Sequence, residues 1–579
     1  MQALNSQGPD DCRRAAVLAG LLLFATIVAY LPAFSGVFLW DDLPAIPRND
    51  LMQSVDGLWK IWTDPAANPV TEQHHPLVHT TFWLEYRIWG DHPLGYHVVN
   101  VLLHVANSLM CWVLLRRLAV PGAWLAAGIF ALHPVHVEST AWIIERKDLL
   151  SALFSLLAAW VYLGWLERKT GWRYGLALGL FACAMLSKTM VIGFPLMLGL
   201  ILWWKGRIRT RRDLLPLLPF AVVGVAAFLF SYEVLVHPRT EEIRPLYLAG
   251  VDLTFVDRIL IAGRALVFYL GKLVWPARLS GVYEVWEIDS GALRQWAFPL
   301  LVGAVLVGLW AARRRWGRGP WVAALCYCIA LGPALGFFTF YLMPYSYVAD
   351  RFQYLASLAP IALFAALAAT FVARRGAEIA RWARPAAFVL LAGLSVLTFQ
   401  HAKVFRNMGS LYNHALAQGY ESTALHFWLA SYYERNGEPQ TAMEHHRRIL
   451  EIDPTYYRSY IQLGTYLLSV QQVDEAIPLL QEAIRLEPLG PYARNNLAVA
   501  LAGRNRLDEA IATLRENLEL HPNDRNTRLN LAYYLLRSRE VDGSIEQFEE
   551  FLRRYPDTPR ATEGLARARR AKELLEQSP

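Results

Sequence analysis

Apolar runs broken by short polar loops fill the chain from Ala15 to about residue 405. A helical run of about 20 residues matches the hydrocarbon thickness of a bilayer. The runs predict about eleven spans: Ala15 to Phe34, then roughly 96–116, 122–140, 149–166, 174–187, 189–204, 213–236, 297–312, 320–343, 354–373 and 385–400. The run from Arg258 to Trp275 contains Arg264 and Lys272 and reads as either a further span or an interfacial, re-entrant helix. Past residue 405 the sequence becomes charged and helical in pattern.

That second region repeats. Pro454, Pro488, Pro522 and Pro556 recur every 34 residues. In the same phase lie Leu429, Leu463, Leu497 and Leu531, each followed by a small residue: Ala430, Gly464, Ala498 and Ala532. Ala442, Ala476, Ala510 and Ser544 hold a second small position. A 34-residue helix-turn-helix period with small residues where helices cross is the tetratricopeptide (TPR) signature. The pattern predicts about four repeats, a leading helix near 410–422 and a closing helix at 559–576. The fold class is therefore all-α: a polytopic membrane bundle over residues 1–405, then a TPR solenoid over 406–579 whose concave face is a protein-binding surface.

Composition agrees with a membrane protein, at 55% hydrophobic and 18% charged residues. The net charge of +7 does not point to nucleic acid, because Lys and Arg cluster at the ends of apolar runs, as topology demands. Five cysteines lie too irregularly for a disulfide framework. Arg13-Arg14 before the first run predict a retained first helix with a cytoplasmic N-terminus. Arg116-Arg117, Arg168-Lys169-Arg173, Lys205 to Arg212, Arg313 to Arg318 and Arg374 to Arg384 then share the cytoplasmic side, provided that 258–275 does not cross. On this topology the polar loop 38–97 and the TPR array lie together on the non-cytoplasmic face. The Arg- and Ala-rich, Lys-poor usage reads as bacterial, which makes that face periplasmic and the membrane the inner one.

The ionisable groups on the non-cytoplasmic face carry the candidate chemistry. Asp41 and Asp42 follow the first span directly, and a carboxylate there suits a general base for an acceptor hydroxyl or a ligand for a divalent cation such as Mg or Mn. Adjacent side chains need not point the same way, so one reacts and the other orients, with the assignment open. Arg146, Lys147, Lys188 and Arg351 suit contacts to a donor phosphate. His74, His75, His133, His136, Glu138, Asp148, Asp350 and Tyr354 are expected to line a substrate cavity. Pro134 disfavours a regular helix that would align His133 and His136 on a metal. No GxxxxGK[ST], GxGxxG or GxSxG motif is present.

These residues fall into a larger pattern. Trp40-Asp41-Asp42, His75-Pro76-Leu77 through Gly95-Tyr96-His97-Val98-Val99-Asn100, and Ala131 through Ser139 with Arg146-Lys147-Asp148 resemble the TMTC-type transmembrane-and-TPR O-mannosyltransferases and their bacterial relatives, within the GT-C glycosyltransferases. Ser187-Lys188-Thr189 and Ala349 through Leu355 extend the likeness, which covers nearly the whole chain. The resemblance implies a polyprenyl-phosphate sugar as donor, a protein acceptor, and Asp41-Asp42 as the catalytic acidic motif. The competing expectation is a non-enzymatic, membrane-anchored TPR scaffold for envelope proteins. A transporter lacks support, since no paired broken helices repeat in inverted order.

Overall fold

The computed structural model describes residues 9–65, 67, 74–236, 253–281, 283–338, 343 and 346–577. Among the described residues every regular element is helical. The chain forms two compact units, Met1–Tyr420 and Glu421–Pro579. The division therefore falls about fifteen residues later than the composition change near 405 suggests. Met408–Ala417, expected to lead into the repeats, packs in the first unit, where Leu411 joins the membrane-unit core and His414 bonds the Leu279 carbonyl at 3.0 Å.

Among the described residues seven helices are long and apolar enough to cross a bilayer: Cys12–Ser35, Pro93–Arg117, Ile143–Arg168, Arg211–Ser231, Leu293–Trp316, Leu358–Arg375 and Ala377–Arg406. Three further apolar helices are shorter, at Ala123–Leu132, Thr189–Trp204 and Gly319–Ala334. Gly171–Ser187 supplies the helix expected over 174–187. Residues 339–342 of the expected span 320–343 lie outside the described residues. Phe255–Val274 is a 20-residue helix opened by a Thr254–Asp257 capping box. Its charged residues distinguish it in composition from the apolar spans, while Ala262, Ala265, Leu266 and Tyr269 pack it against Tyr327 and Leu331. No residue of Leu293–Trp316 is buried, as befits a helix whose neighbours are mostly lipid.

The expected span 122–140 breaks. Its helix stops at Leu132 because a residue before proline is sterically pushed out of the α region, and His133 adopts extended geometry. Two short 3-10 turns and the five-residue helix Val137–Ala141 follow, before Arg146–Arg168 resumes as a long helix. Irregular backbone is tolerated at membrane depth only inside protein, and residues 125 to 146 are almost wholly buried. This broken segment forms one wall of the site.

The second unit is the predicted repeat array. Helix pairs 423–435/439–452, 457–469/473–486, 491–503/507–520 and 525–537/541–554 are closed by Pro559–Glu576. The phase-locked leucines Leu429, Leu463, Leu497 and Leu531 are all buried, as are the small residues beside them. A Cβ on Gly464 would stand 2.7 Å from the Leu480 side chain, which would have to shift to admit it. Ser544 serves at the equivalent crossing by donating to the Ala532 carbonyl at 2.8 Å.

Candidate active site

In the turn Leu39–Asp42 the two carboxylates are held differently. Asp42 is fully buried, and its two oxygens each accept a backbone N–H, from Leu39 and from Ile144, both at 2.8 Å. It thus pins the first loop to the broken segment before Arg146. Asp41, one residue away, stays partly exposed. Trp40 enables the split. It sits at φ 36°, a left-handed conformation that a bulky side chain adopts only when its surroundings compel it. Its ring packs on Trp142 at 4.8 Å and on Tyr412 at 5.7 Å, and its indole N–H donates to the Tyr412 hydroxyl. Burial raises the Asp41 carboxyl above its usual range, Lys147 opposes that rise and Glu145 adds to it. Burial pushes Asp42 well above the usual carboxylate range despite its two backbone donors.

Beside Asp41 lies a network of ion pairs. Glu145 is fully buried between Lys147 at 3.0 Å, Arg351 at 3.4 Å and Lys188 at 3.6 Å. Lys188 also meets Asp148 at 2.7 Å, and Arg351 pairs with Glu138, whose second oxygen accepts the Arg351 backbone N–H at 2.9 Å. Three cations thereby face three carboxylates. The expected basic cluster is electrically balanced, which lets it survive where charge is costly. Lys147 is its most solvent-accessible member, with 13% of the side chain exposed.

Arg146, expected among the phosphate contacts, is instead an internal strut. It is completely buried, pairs with Glu85, donates through Nε to Asn100 at 2.7 Å and through Nη2 to the Tyr96 carbonyl at 3.0 Å. With Thr81 also accepting from Nη1, the guanidinium is engaged on every side. The expected cavity histidines are likewise occupied. His136 bonds the Phe130 carbonyl at 2.7 Å and Ser357 at 2.8 Å, and His133 bonds the Leu273 carbonyl at 2.9 Å. Tyr354 is buried against His104 at 2.7 Å and Asn107 at 3.1 Å, so it holds helices together and does not line a cavity. Asp350 is buried, accepts from the Tyr283 hydroxyl at 2.8 Å, and is raised to about 7 by burial and the nearby Glu138 charge. His74 lies half-buried with its ring edge-on to Phe230, and burial pushes the adjacent His75 well below its usual value.

Among the described residues no three His, Cys, Asp or Glu side chains gather into a metal-binding set. Each Asp42 oxygen already accepts one backbone N–H, from Leu39 and from Ile144.

Glu85, Asn100, His104, Asn107, Trp142 and Tyr412 were not singled out from sequence. Part of this set was legible. Asn100, His104 and Asn107 recur at helical spacing inside an apolar run, forming a polar stripe that faces a partner. Asn100 donates to the Trp142 and Ile143 carbonyls, and Asn107 to Leu149.

Leading away from the network is an apolar groove of about 740 Å³ between Pro93–Arg117, Arg146–Arg168, Phe194–Trp204, Gly319–Leu331 and Leu358–Arg375. Leu355, Ala356, Met197 and Ala330 line both this groove and a small cleft holding Asp148 and Lys188.

A bundle with buried charges and an apolar groove thus precedes a TPR array in the chain, and comparison with known proteins finds a likeness for each. Residues 73–232 match the family of dolichyl-phosphate-mannose-protein mannosyltransferases, and residues 410–457, 461–525 and 529–578 match the tetratricopeptide repeat. Protein O-mannosyl-transferase TMTC4 of Mus musculus is 26% identical over 327 residues, which cover 51% of this chain and 41% of that protein. Its Homo sapiens counterpart is 35% identical over 154 residues, covering 23% and 21% respectively. The chain thus spans less than half the length of these curated relatives. The resemblance to TMTC-type proteins expected from the sequence is found among these relatives. Among solved structures, MamA from Desulfovibrio magneticus aligns over 26% of this chain and 86% of its own, at 18% identity and a TM-score of 0.25.

Proposed function

We propose that this protein is an integral-membrane glycosyltransferase that moves a hexose from a polyprenyl-phosphate donor to an acceptor hydroxyl, with Asp41 as the general base. The observation that carries this reading is the division of labour in the acidic pair. Asp42 is consumed by two backbone donors, leaving Asp41 partly exposed beside a charge-balanced network at the head of an apolar groove. The groove suits a prenyl chain, and its head adjoins Lys188. In the reaction, the Asp41 carboxylate removes the acceptor proton as the oxygen bonds to the anomeric carbon. The bond from that carbon to the phosphate oxygen breaks, and the prenyl phosphate departs with the electron pair. Lys147, the most accessible cation of the network, stabilises the charge developing there. Attack opposite the leaving group inverts the anomeric centre.

Mannose is the sugar the relatives favour, and a protein hydroxyl is the acceptor that a TPR array suits. Transfer takes place on the non-cytoplasmic face, the periplasmic side of a bacterial inner membrane. The test is to supply the reconstituted protein with labelled mannose on polyprenyl phosphate or on a nucleotide, together with candidate acceptor proteins. Transfer from the lipid-linked donor alone supports the proposal. Transfer from the nucleotide sugar alone contradicts it, and inactivity with both donors favours the scaffold reading.

A further inference from the structure

The apolar groove has a second charged end. Leu358–Arg375 runs along it for 18 residues, about 27 Å at 1.5 Å per residue. One end is the Leu355–Ala356 region by Lys188. The other is lined by Arg315, Arg374, Trp204, Trp316 and Thr370. The groove lining contains no acidic residue.

Three of the neighbouring arginines are engaged elsewhere. Arg313 lies over the Trp310 ring, Arg375 over Phe371, and Arg318 donates to the Trp203 carbonyl. Each of those cations is thus turned back onto its own protein surface. Among the described residues Arg315 and Arg374 have neither an ion-pair nor a hydrogen-bond partner, and both line the groove mouth. Two unpaired cations over an apolar channel, framed by two tryptophans, match a lipid headgroup in charge and in the preference of indoles for the membrane interface.

We propose that this mouth binds an anionic phospholipid, its phosphate between Arg315 and Arg374 and one acyl chain in the groove. A bilayer leaflet is about 15 Å of hydrocarbon. Such a chain therefore fills about half of the groove and leaves the Lys188 end open. The site takes the end of the groove away from Lys188, leaves the Lys188 end to the donor, and lies at the opposite face of the membrane from Asp41.

The test uses the full-length protein in nanodiscs of phosphatidylcholine, with or without phosphatidylglycerol. Thermal midpoint and retained lipid, counted by native mass spectrometry, are the readouts. Phosphatidylglycerol is expected to raise the midpoint of the wild type and of Arg381→Gln/Arg384→Gln, which alters basic residues outside the groove lining. Arg315→Gln/Arg374→Gln is expected to lose both the shift and the retained lipid. Ala366→Trp, which fills the groove and keeps both arginines, is expected to lose them as well, and answers the question if the arginine pair does not fold. The proposal is overturned if Arg315→Gln/Arg374→Gln responds like the wild type. It is also overturned if Arg381→Gln/Arg384→Gln loses the response equally, since the effect would then be general surface charge. An arginine-dependent shift given by undecaprenyl phosphate and not by phosphatidylglycerol would assign the mouth to a prenyl lipid instead. No readout involves a sugar, so failure here leaves the transferase reading intact.

Discussion

Arg146 and Glu85, 61 positions apart, form a buried pair whose members are each costly alone. Replacing Arg146 with Ala should lower stability by about 3–5 kcal/mol, because it strands a buried carboxylate. The shift should appear in denaturant midpoints in detergent. A change below 1 kcal/mol would contradict the strut role. Asp350 offers a second test. An unfolded chain ionises this carboxyl near 3.8, while the folded one holds its proton to about 7. Between those values the folded state binds more protons, so this group's contribution to stability falls as pH rises from about 4 to 7. Asp350→Asn should remove that slope, measured as the difference in thermal midpoint from wild type across the same range. The Asp41-Asp42 motif was legible in the sequence, but the direction of each side chain was not. It depends on the left-handed backbone at Trp40, which is not a glycine and gives no local signal. Arg146 was misread for a similar reason: its acidic partner lies far away in sequence.

Helices and their breaks were more legible than side-chain partners. Ten of the eleven apolar runs became helices over most of their described length, since run length and composition are local properties. The run 122–140 was the exception, and Pro134 explains it. In the repeats, the turn between paired helices places residues 437, 471, 505 and 539 in the same left-handed conformation, 34 apart. Only the first is glycine. Arg539→Gly should therefore stabilise the chain by up to about 1 kcal/mol, by relieving the Cβ clash that left-handed backbone imposes. Leu480→Ala should do the opposite, by about 2–5 kcal/mol, since Leu480 fills the crossing opposite Gly464. Calorimetry of the full chain measures both, and a destabilised Arg539→Gly variant would contradict the turn geometry.

At the scale of the molecule, the positive-charge pattern and the eleven crossings expected from the sequence make a prediction about sidedness. A single cysteine at Asn523, in a background without native cysteines, should label from the non-cytoplasmic side, and one at Arg315 should be protected. Protection at Asn523 would separate the repeats from the Asp41 loop and favour a scaffold. The 34-residue period made the repeat unit readable almost residue by residue. The membrane unit was readable as spans, yet its ion-pair network was not, because Glu138, Glu145, Asp148, Lys188 and Arg351 meet only through tertiary packing.

The most direct measurement compares Asp41→Asn with Asp42→Asn in one transfer assay from a polyprenyl-phosphate mannose donor, with thermal midpoints taken alongside. Asp41→Asn should keep the wild-type midpoint and lower kcat by about 100-fold or more, the usual worth of a general base. Asp42→Asn should lower the midpoint by leaving one of the Leu39 and Ile144 N–H groups without its acceptor, at a cost of about 1–3 kcal/mol. Full transfer by Asp41→Asn, with loss confined to Asp42→Asn, would contradict the assignment.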